Sequence, residues 1–369
     1  MKNFIIIEHE PLTSRLEEIW SLRELAGKNV SVKYWDLSQL IYKGINIPNI
    51  IDSSVEVLCF TSIISLKKEL ENLDIENTVF ALEIFINWHN REIIQLLKKN
   101  KCKCVKIDLY ANTGLPISMK NRLLNSTLSL NPKGLLNSLF NYIYRNIFIS
   151  HPYELTLSSS HSSADILINH PDYENYLYGD CSSKPETYPY ILFIDTFYPL
   201  HPDLKYYFKL KIEEKDVREY RDLMMRFFDF LEYKYKKKVV VAAHPKSLYI
   251  GNEFGNRSIL KGYTSSLIKY ADMIVTHESN SLSYIALSNK PFIFVYPESY
   301  TNRLRQYMFA LSNYCRKKTY NLNKFDWDKI VFSPLDDKVR ENYIGNFIAS
   351  SQSSEKRNVD IIIDNLLKN

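Results

Sequence analysis

The sequence predicts an α/β protein built from two doubly wound, Rossmann-like domains facing each other across a cleft. Three observations predict it. The chain has 369 residues, more than one typical domain holds. Short apolar runs alternate with amphipathic helical patterns through both halves, as in a parallel sheet covered on both faces. A polar stretch, GDCSSKPETYP at 179–189, separates the halves, and a new apolar run begins directly after it. The expected boundaries are 1–182 for the first domain and 183–345 for the second. Residues 346–369 are expected to form a C-terminal helix suited to packing back on the first domain.

In the first half, NFIIIE reads as a buried strand, followed by a helix over PLTSRLEEIWSLRELAG that stops near Gly27. VSVKYW, VEVLCFTS, NTVFALEIF and CVKIDLYA read as further strands. Helices over SLKKELENL and HNREIIQLLKKN fall between them. SADILINHPDYENYL adds a strand and a short helix. The segment 134–149 places Leu136, Phe140, Tyr144 and Ile147 at helical spacing. Core burial is its first reading; contact with the inner-membrane surface or a lipid-linked acceptor is the second.

The second half repeats the pattern. YILFID, KVVVAAHP, SILKG, DMIVTHES and PFIFVYP read as strands. The long helix EEKDVREYRDLMMRFFDFLEYKYKK and helices over TSSLIKYA, SLSYIALSN and NRLRQYMFALSNYCRKK separate them, and VDIIIDNLLKN ends the chain as a helix. In such sheets ligands lie beyond the carboxyl ends of the strands, so the residues following each strand are the candidates for function.

Composition narrows the choice. There are only 9 glycines where ordinary usage of roughly 7% gives about 26. Neither G-x-G-x-x-G nor G-x-x-x-x-G-K-[ST] occurs, so any nucleotide site here works without a glycine loop. The net charge of +5 suits an anionic ligand and falls short of a nucleic-acid footprint. The five cysteines are an odd number without a C-x-x-C pair, which reads as free thiols in a reducing compartment. No run approaches the ~18 apolar residues of a membrane span, and the N-terminal MKNFIIIEHEPL is too short in apolar residues for a signal peptide. A cytoplasmic protein is expected.

Three strand ends in the second half carry the binding candidates. KVVVAA runs into His244, Pro245 and Lys246; the proline ends the strand, the histidine can donate to an anionic oxygen, and the lysine adds charge. SILK leads to Gly262 and Thr264, where backbone can approach a ligand and a helix begins. DMIVT leads to His277, Glu278, Ser279, Asn280 and Ser281, a helix start whose free N–H groups and hydroxyls suit an anion.

AAHPK followed by KGYTSSLIKYADMIVTHESNSLSYIALSNKPFIFVYP resembles the donor domain of GT-B glycosyltransferases that build bacterial surface polysaccharides. The likeness is to the groups with a His-Pro motif and a downstream serine motif: sialyltransferases, capsule Kdo transferases and, more distantly, polymerases of the CDP-glycerol type. It implies that His244 and Pro245 meet the donor's phosphate or ribose, and that Ser279 and Ser281 hold the phosphate. It further implies a CMP-activated acidic sugar as donor and a surface glycan or glycolipid as acceptor. A CDP-glycerol or UDP-sugar donor is the alternative, and a non-catalytic protein binding an anionic glycan or nucleotide is the rival of another class. No metal or other cofactor is expected. The D-x-D match at Asp326-Trp327-Asp328 lies outside the strand-end pattern and reads as chance.

Glycosyl transfer needs a base, or a carboxylate nucleophile where configuration is retained. Asp195, His201 and Asp203 lie at and beyond the first strand of the second half. Asp195 and Asp203 are eight apart, which does not match the Gln-x5-Asp pattern of capsule Kdo transferases, so retention is not implied. In the first half Glu8, His9 and Glu10, then Glu83, Asp108, His170 and Asp172, follow strands. Glu8 and His170 are the leading catalytic candidates there, and no motif selects between them.

Overall fold

The computed structural model describes residues 2–28, 30–42, 53–108, 140–141, 143–144, 152–179, 184–206 and 210–368. The first sheet is wholly parallel, with strands β1 (Asn3–Glu8), β2 (Ser31–Asp36), β3 (Glu56–Cys59), β4 (Thr78–Glu83), β5 (Lys103–Asp108), β6 (Leu155–Ser158) and β7 (Ile166–Leu167). Their order is β3-β2-β1-β4-β5-β6-β7. Successive side chains of a strand enter opposite faces. Phe4 and Ile6 of β1 therefore join Tyr34, Ala81 and Ile107 in one core, while Ile5 and Ile7 join Trp35, Phe80 and Leu82 in the other. Both faces are apolar, so the strand shows no polar alternation.

The second sheet is also parallel. It contains β8 (Tyr190–Ile194), β9 (Lys238–Ala243), β10 (Ile259–Lys261), β11 (Met273–Thr276), β12 (Phe292–Tyr296) and β13 (Thr319–Asn321), ordered β10-β9-β8-β11-β12-β13. The helix Glu214–Tyr235 lies against it through Tyr220, Leu223, Met224, Phe227, Phe228 and Leu231, a stripe with helical periodicity. A reciprocal capping box between Glu213 and Asp216 sets where that helix starts.

Among the described residues, the chain through Asp108, the stretch ending at Pro171, and everything from Ala349 onward form one compact unit; Asp172–Ile348 forms the other. The C-terminal helix Asn358–Ile362 and the turn after it bury Val359, Ile361, Ile362 and Leu366 in the first core. Two hydrogen bonds lock the return. Asn169 N–H donates to Asn358 Oδ1 at 2.8 Å, and Asn358 Nδ2 donates to the Asn169 carbonyl at 2.7 Å. Asn358→Ala strands both backbone groups in a buried place and should destabilise the first unit by about 1–3 kcal/mol. Hydrogen exchange checks this: protection falls in β6, β7 and the C-terminal helix while β8–β12 stay protected.

The structure departs from the sequence reading at four elements. The first helix is two, Ser14–Ile19 and Leu22–Ala26, because Ser21 takes a left-handed conformation at φ +47° between them. Strands β6 and β13 and the helix Asp337–Phe347 were not expected. β6 and β13 have only four and three residues, too short for a clear period. Much of the apolar segment 134–149, including Leu136 and Ile147, lies outside the described residues, as does Cys181.

Candidate functional site

Each sheet has one point where the order of strand addition reverses, and ligands of such sheets collect there. In the first unit it lies between β1 and β4; in the second, between β8 and β11. Carboxyl groups mark both: buried Glu8 and half-buried Glu83 in the first unit, buried Asp195 and half-buried Glu278 in the second.

In the second unit β9 ends at Ala243, and the turn His244–Ser247 is closed by Ser247 N–H donating to the His244 carbonyl at 2.9 Å. The Lys246 N–H donates to His244 Nδ1 at 3.1 Å. A ring nitrogen that accepts is unprotonated, so the neutral ring carries its proton on Nε2, as a donor. The His201 ring lies 4.7 Å from that of His244, and its Nδ1 accepts the Asp203 N–H at 3.1 Å, giving the same tautomer. Lys246 Nζ stands 3.5 Å from Asp203 Oδ1. The structure thus gathers His201, Asp203, His244 and Lys246 at one edge.

Asp195 belongs to the layer beneath them. It is buried, and its Oδ2 accepts from the Tyr249 hydroxyl at 2.7 Å. Burial pushes its carboxyl up to about 6, partly offset by Tyr249 and the backbone amides of Phe197 and His244. Asp195 is thus tied to Tyr249 and to the backbone at Phe197 and His244. Gly262 has φ +88°, and a Cβ there would meet nothing within 4 Å. The glycine therefore serves the turn's left-handed conformation, not a close approach within the chain. Thr264 is the first residue of the helix Thr264–Tyr270, whose cap is Tyr263, and Lys261 Nζ donates to the Ser247 carbonyl at 2.9 Å.

Beyond β11, His277 is fully buried. Its Nδ1 lies 2.6 Å from the Val295 carbonyl and its Nε2 2.8 Å from the Tyr220 hydroxyl. Burial lowers its pKa to about 4, so the ring is neutral and both nitrogens are engaged inside the unit. Burial pushes Glu278 up to about 8, which keeps it a protonated acid at neutral pH. The Ser279 hydroxyl accepts the Ser281 N–H at 3.2 Å, and the Asn280 carbonyl accepts from Ser283 Oγ at 3.1 Å. Ser281 occupies the cap position of the helix Leu282–Ser288 without a side-chain capping bond.

In the first unit, Glu8 is buried and tied to the residue after it. Its Oε1 accepts the His9 N–H at 3.0 Å and lies 2.6 Å from His9 Nδ1. The same Nδ1 is 2.7 Å from the Glu83 carbonyl. Nδ1 is thus the protonated nitrogen, and Nε2 is the position from which the ring exchanges a proton. Burial pulls the imidazole down, but Glu8, Glu10 and the Glu83 carbonyl outweigh it and raise His9 to about 9. Burial raises Glu8 in turn, with His9 opposing. The structure pairs Glu8, the sequence candidate, with His9 beside it. The signal was present in the Glu-His-Glu triplet immediately after a buried strand. Asp108 accepts from the Ser158 hydroxyl at 3.3 Å, and His170 is buried beside the Asn169–Asn358 lock, away from β1 in sheet order.

Asp326 accepts the Asp328 N–H at 3.2 Å and pairs with Lys329 at 3.0 Å, a local turn. Among the described residues no group of three His, Cys, Asp or Glu side chains is placed to hold a metal ion. None of the described helices is long and apolar enough to cross a membrane.

No protein-family model matches the sequence, and no curated protein sequence matches it. Solved structures do. A variant of the wall teichoic acid polymerase TagF aligns at 12% identity over 100% of this chain and 89% of that one, with a TM-score of 0.52. A second TagF structure aligns at 12% identity over 97% and 86%, TM-score 0.50. The UDP-GlcNAc 2-epimerase of Methanocaldococcus jannaschii, in complex with UDP-GlcNAc and UDP, aligns at 13% identity over 93% and 98%, TM-score 0.46. At such identities the likeness is one of fold. With its two parallel sheets of seven and six strands, the chain has the α/β fold of the GT-B class.

Proposed function

We propose that the protein is a glycosyltransferase whose second unit takes a nucleotide-activated sugar, the acceptor being a glycan or glycolipid hydroxyl. The observation that carries this reading is the turn after β9. His244 presents Nε2–H with Lys246 and His201 beside it, an arrangement suited to a donor's phosphate. Glu278, as a neutral acid, and Ser279 and Ser281 are suited to the ribose and phosphate oxygens without adding negative charge. Pro245, Gly262, Thr264 and Asn280 shape the turns that frame them.

In the reaction, a base takes the acceptor's hydroxyl proton as the oxygen bonds to the sugar's anomeric carbon, and His9 Nε2 is the group of the first unit assigned to that role. The bond from that carbon to the phosphate oxygen breaks, and its electron pair leaves with the nucleotide. Glu8 steadies the imidazolium that forms. His244, Lys246 and His201 meet the charge growing on the leaving phosphate, so the reading assigns no step to a metal.

The donor class favoured is a CMP-linked acidic sugar of the sialic acid or Kdo type, from the His-Pro and serine motifs. A CDP-glycerol donor, from the more distant likeness of the same motifs to polymerases of the CDP-glycerol type, is the second reading, and a UDP-sugar is the third. Incubation with CMP-sialic acid, CMP-Kdo, CDP-glycerol and UDP-GlcNAc, followed by nucleotide release and product mass, decides among them. CMP release with an acidic sugar on the acceptor is the expected outcome. Nucleotide binding without turnover on any donor would make the protein a binding module instead.

A further inference from the structure

The end of β12 leads to a cation that has no carboxylate within ion-pair reach among the described residues. After Tyr296 the chain passes Ser299 and Tyr300 and enters the helix Asn302–Tyr314, capped by the Thr301 hydroxyl, which accepts the Leu304 N–H at 3.3 Å. Arg305, four residues into that helix, is half-buried, and its Nε donates to the Tyr300 carbonyl at 3.0 Å. Among the described residues this is its one hydrogen bond, whereas Arg257 faces Asp229 and Glu232, and Arg357 faces Glu24. Glu298, on the same loop, pairs with Lys324. The bond at Nε fixes the plane of the guanidinium and leaves both terminal amino groups to a ligand. The place is the point where strand order reverses. The Tyr300 ring lies 4.6 Å from that of Tyr198, beyond β8, and 5.4 Å from that of His277, beyond β11. Burial holds the Tyr198 phenol above its ordinary value, and the charge of Arg305 opposes that rise. The loops after β8, β11 and β12 therefore meet at Tyr300, and Arg305 is fastened to it.

We propose that Arg305 receives the donor's second negative group, the oxyanion that lies beyond the phosphate next to the nucleoside. The inference rests on the donor reading of the second unit. A guanidinium held in one plane with two unengaged amino groups matches a carboxylate or a phosphate through two parallel bonds. A half-buried cation without a counter-ion carries a desolvation cost that an incoming anion offsets. Strand order supplies the direction. His244 and Lys246 follow β9, Ser279 and Ser281 follow β11, and Arg305 follows β12, the next strand along. Adjacent strands lie about 4.8 Å apart, so the step from the serine turn to Arg305 is on the scale of that between neighbouring anionic groups of one donor. Glu278, kept a neutral acid by burial, sets no rival charge there. Two donor classes supply the group: the carboxylate of a CMP-linked acidic sugar, and the second phosphate of a CDP- or UDP-linked unit.

Isothermal titration of CMP, CDP and CMP-sialic acid into the unmodified protein and into Arg305→Gln tests the assignment without an acceptor. CMP carries a single phosphate, and its affinity should be the same in both proteins, which also shows that the variant is folded. The ligand whose second anion meets Arg305 should bind about ten- to hundredfold more weakly to the variant, as for a lost charge-assisted bond. A loss confined to CMP-sialic acid identifies a carboxylate, one confined to CDP a phosphate, and a loss on both a site that takes either; each supports the proposal. Arg305→Lys keeps the charge without the planar fork and should recover only part of the affinity. Unchanged affinity for all three ligands in Arg305→Gln, or a loss as large for CMP as for the others, overturns the proposal and leaves the donor reading standing. If the unmodified protein binds none of the three, the donor reading itself falls, and the role of Arg305 with it.

Discussion

Replacing His9 with alanine is expected to lower the transfer rate by about a hundred- to ten-thousandfold, the range typical of a lost general base. Nucleotide affinity should stay unchanged, because the donor groups belong to the other unit. The wild-type rate should climb with pH and level off near 9, since the ring works as a base only when deprotonated and its neighbours raise it to about 9. Glu8→Gln removes the nearest of those anions. The rising limb should then move toward the ordinary histidine value of 6.5 while the plateau drops, because the imidazolium loses its partner. A limb that stays in place in Glu8→Gln would show that Glu8 does not act through His9. Stability carries the same sign. With the folded pKa raised, the charged ring's contribution is complete below pH 6.5 and disappears as pH climbs through about 9.

His244→Ala should weaken CMP binding about ten- to hundredfold, as expected for a charge-assisted hydrogen bond to phosphate. His244→Gln retains a side-chain N–H and should recover part of the loss. Isothermal titration at fixed ionic strength measures both. Transfer should fall in parallel with affinity for His244→Ala, whereas His9→Ala separates the two. Undiminished CMP affinity in His244→Ala would remove the basis of the donor site. Asp195, although on the adjoining strand, stands apart. Buried and bonded to Tyr249, it holds loops in place, and its substitution should disturb the His244 turn more than any proton transfer.

Much of the fold was legible in the sequence because burial on both faces leaves a plain mark. FIII in β1, VVVAA in β9 and FIFVY in β12 have no polar alternation, and parallel strands under two helical layers need none. The break at Ser21 was not legible, since a left-handed serine between two helical patterns leaves the apolar period intact. β6 and β13 were missed because three or four residues hold no measurable period.

For the site, the sequence determined which residues stand at the ends of strands, and so that His244, Lys246, Glu278 and the Glu-His-Glu triplet were candidates at all. The scarcity of glycine confined any nucleotide site to histidine, lysine and hydroxyl chemistry. Which of those candidates face outward was decided by tertiary structure alone. His244 and His277 each follow a buried strand and read alike in one dimension. One ring accepts an N–H of its own turn at Nδ1, while the other is sealed between Val295 and Tyr220. The setting of His9 is of the same kind. Its Nδ1 lies 2.6 Å from Glu8 Oε1 and 2.7 Å from the carbonyl of Glu83, which ends a strand that neighbours β1 in the sheet and stands seventy-five residues from Glu8 in the chain. Long-range pairing of that sort sets desolvation and charge around a group, and a sequence read along one dimension carries neither.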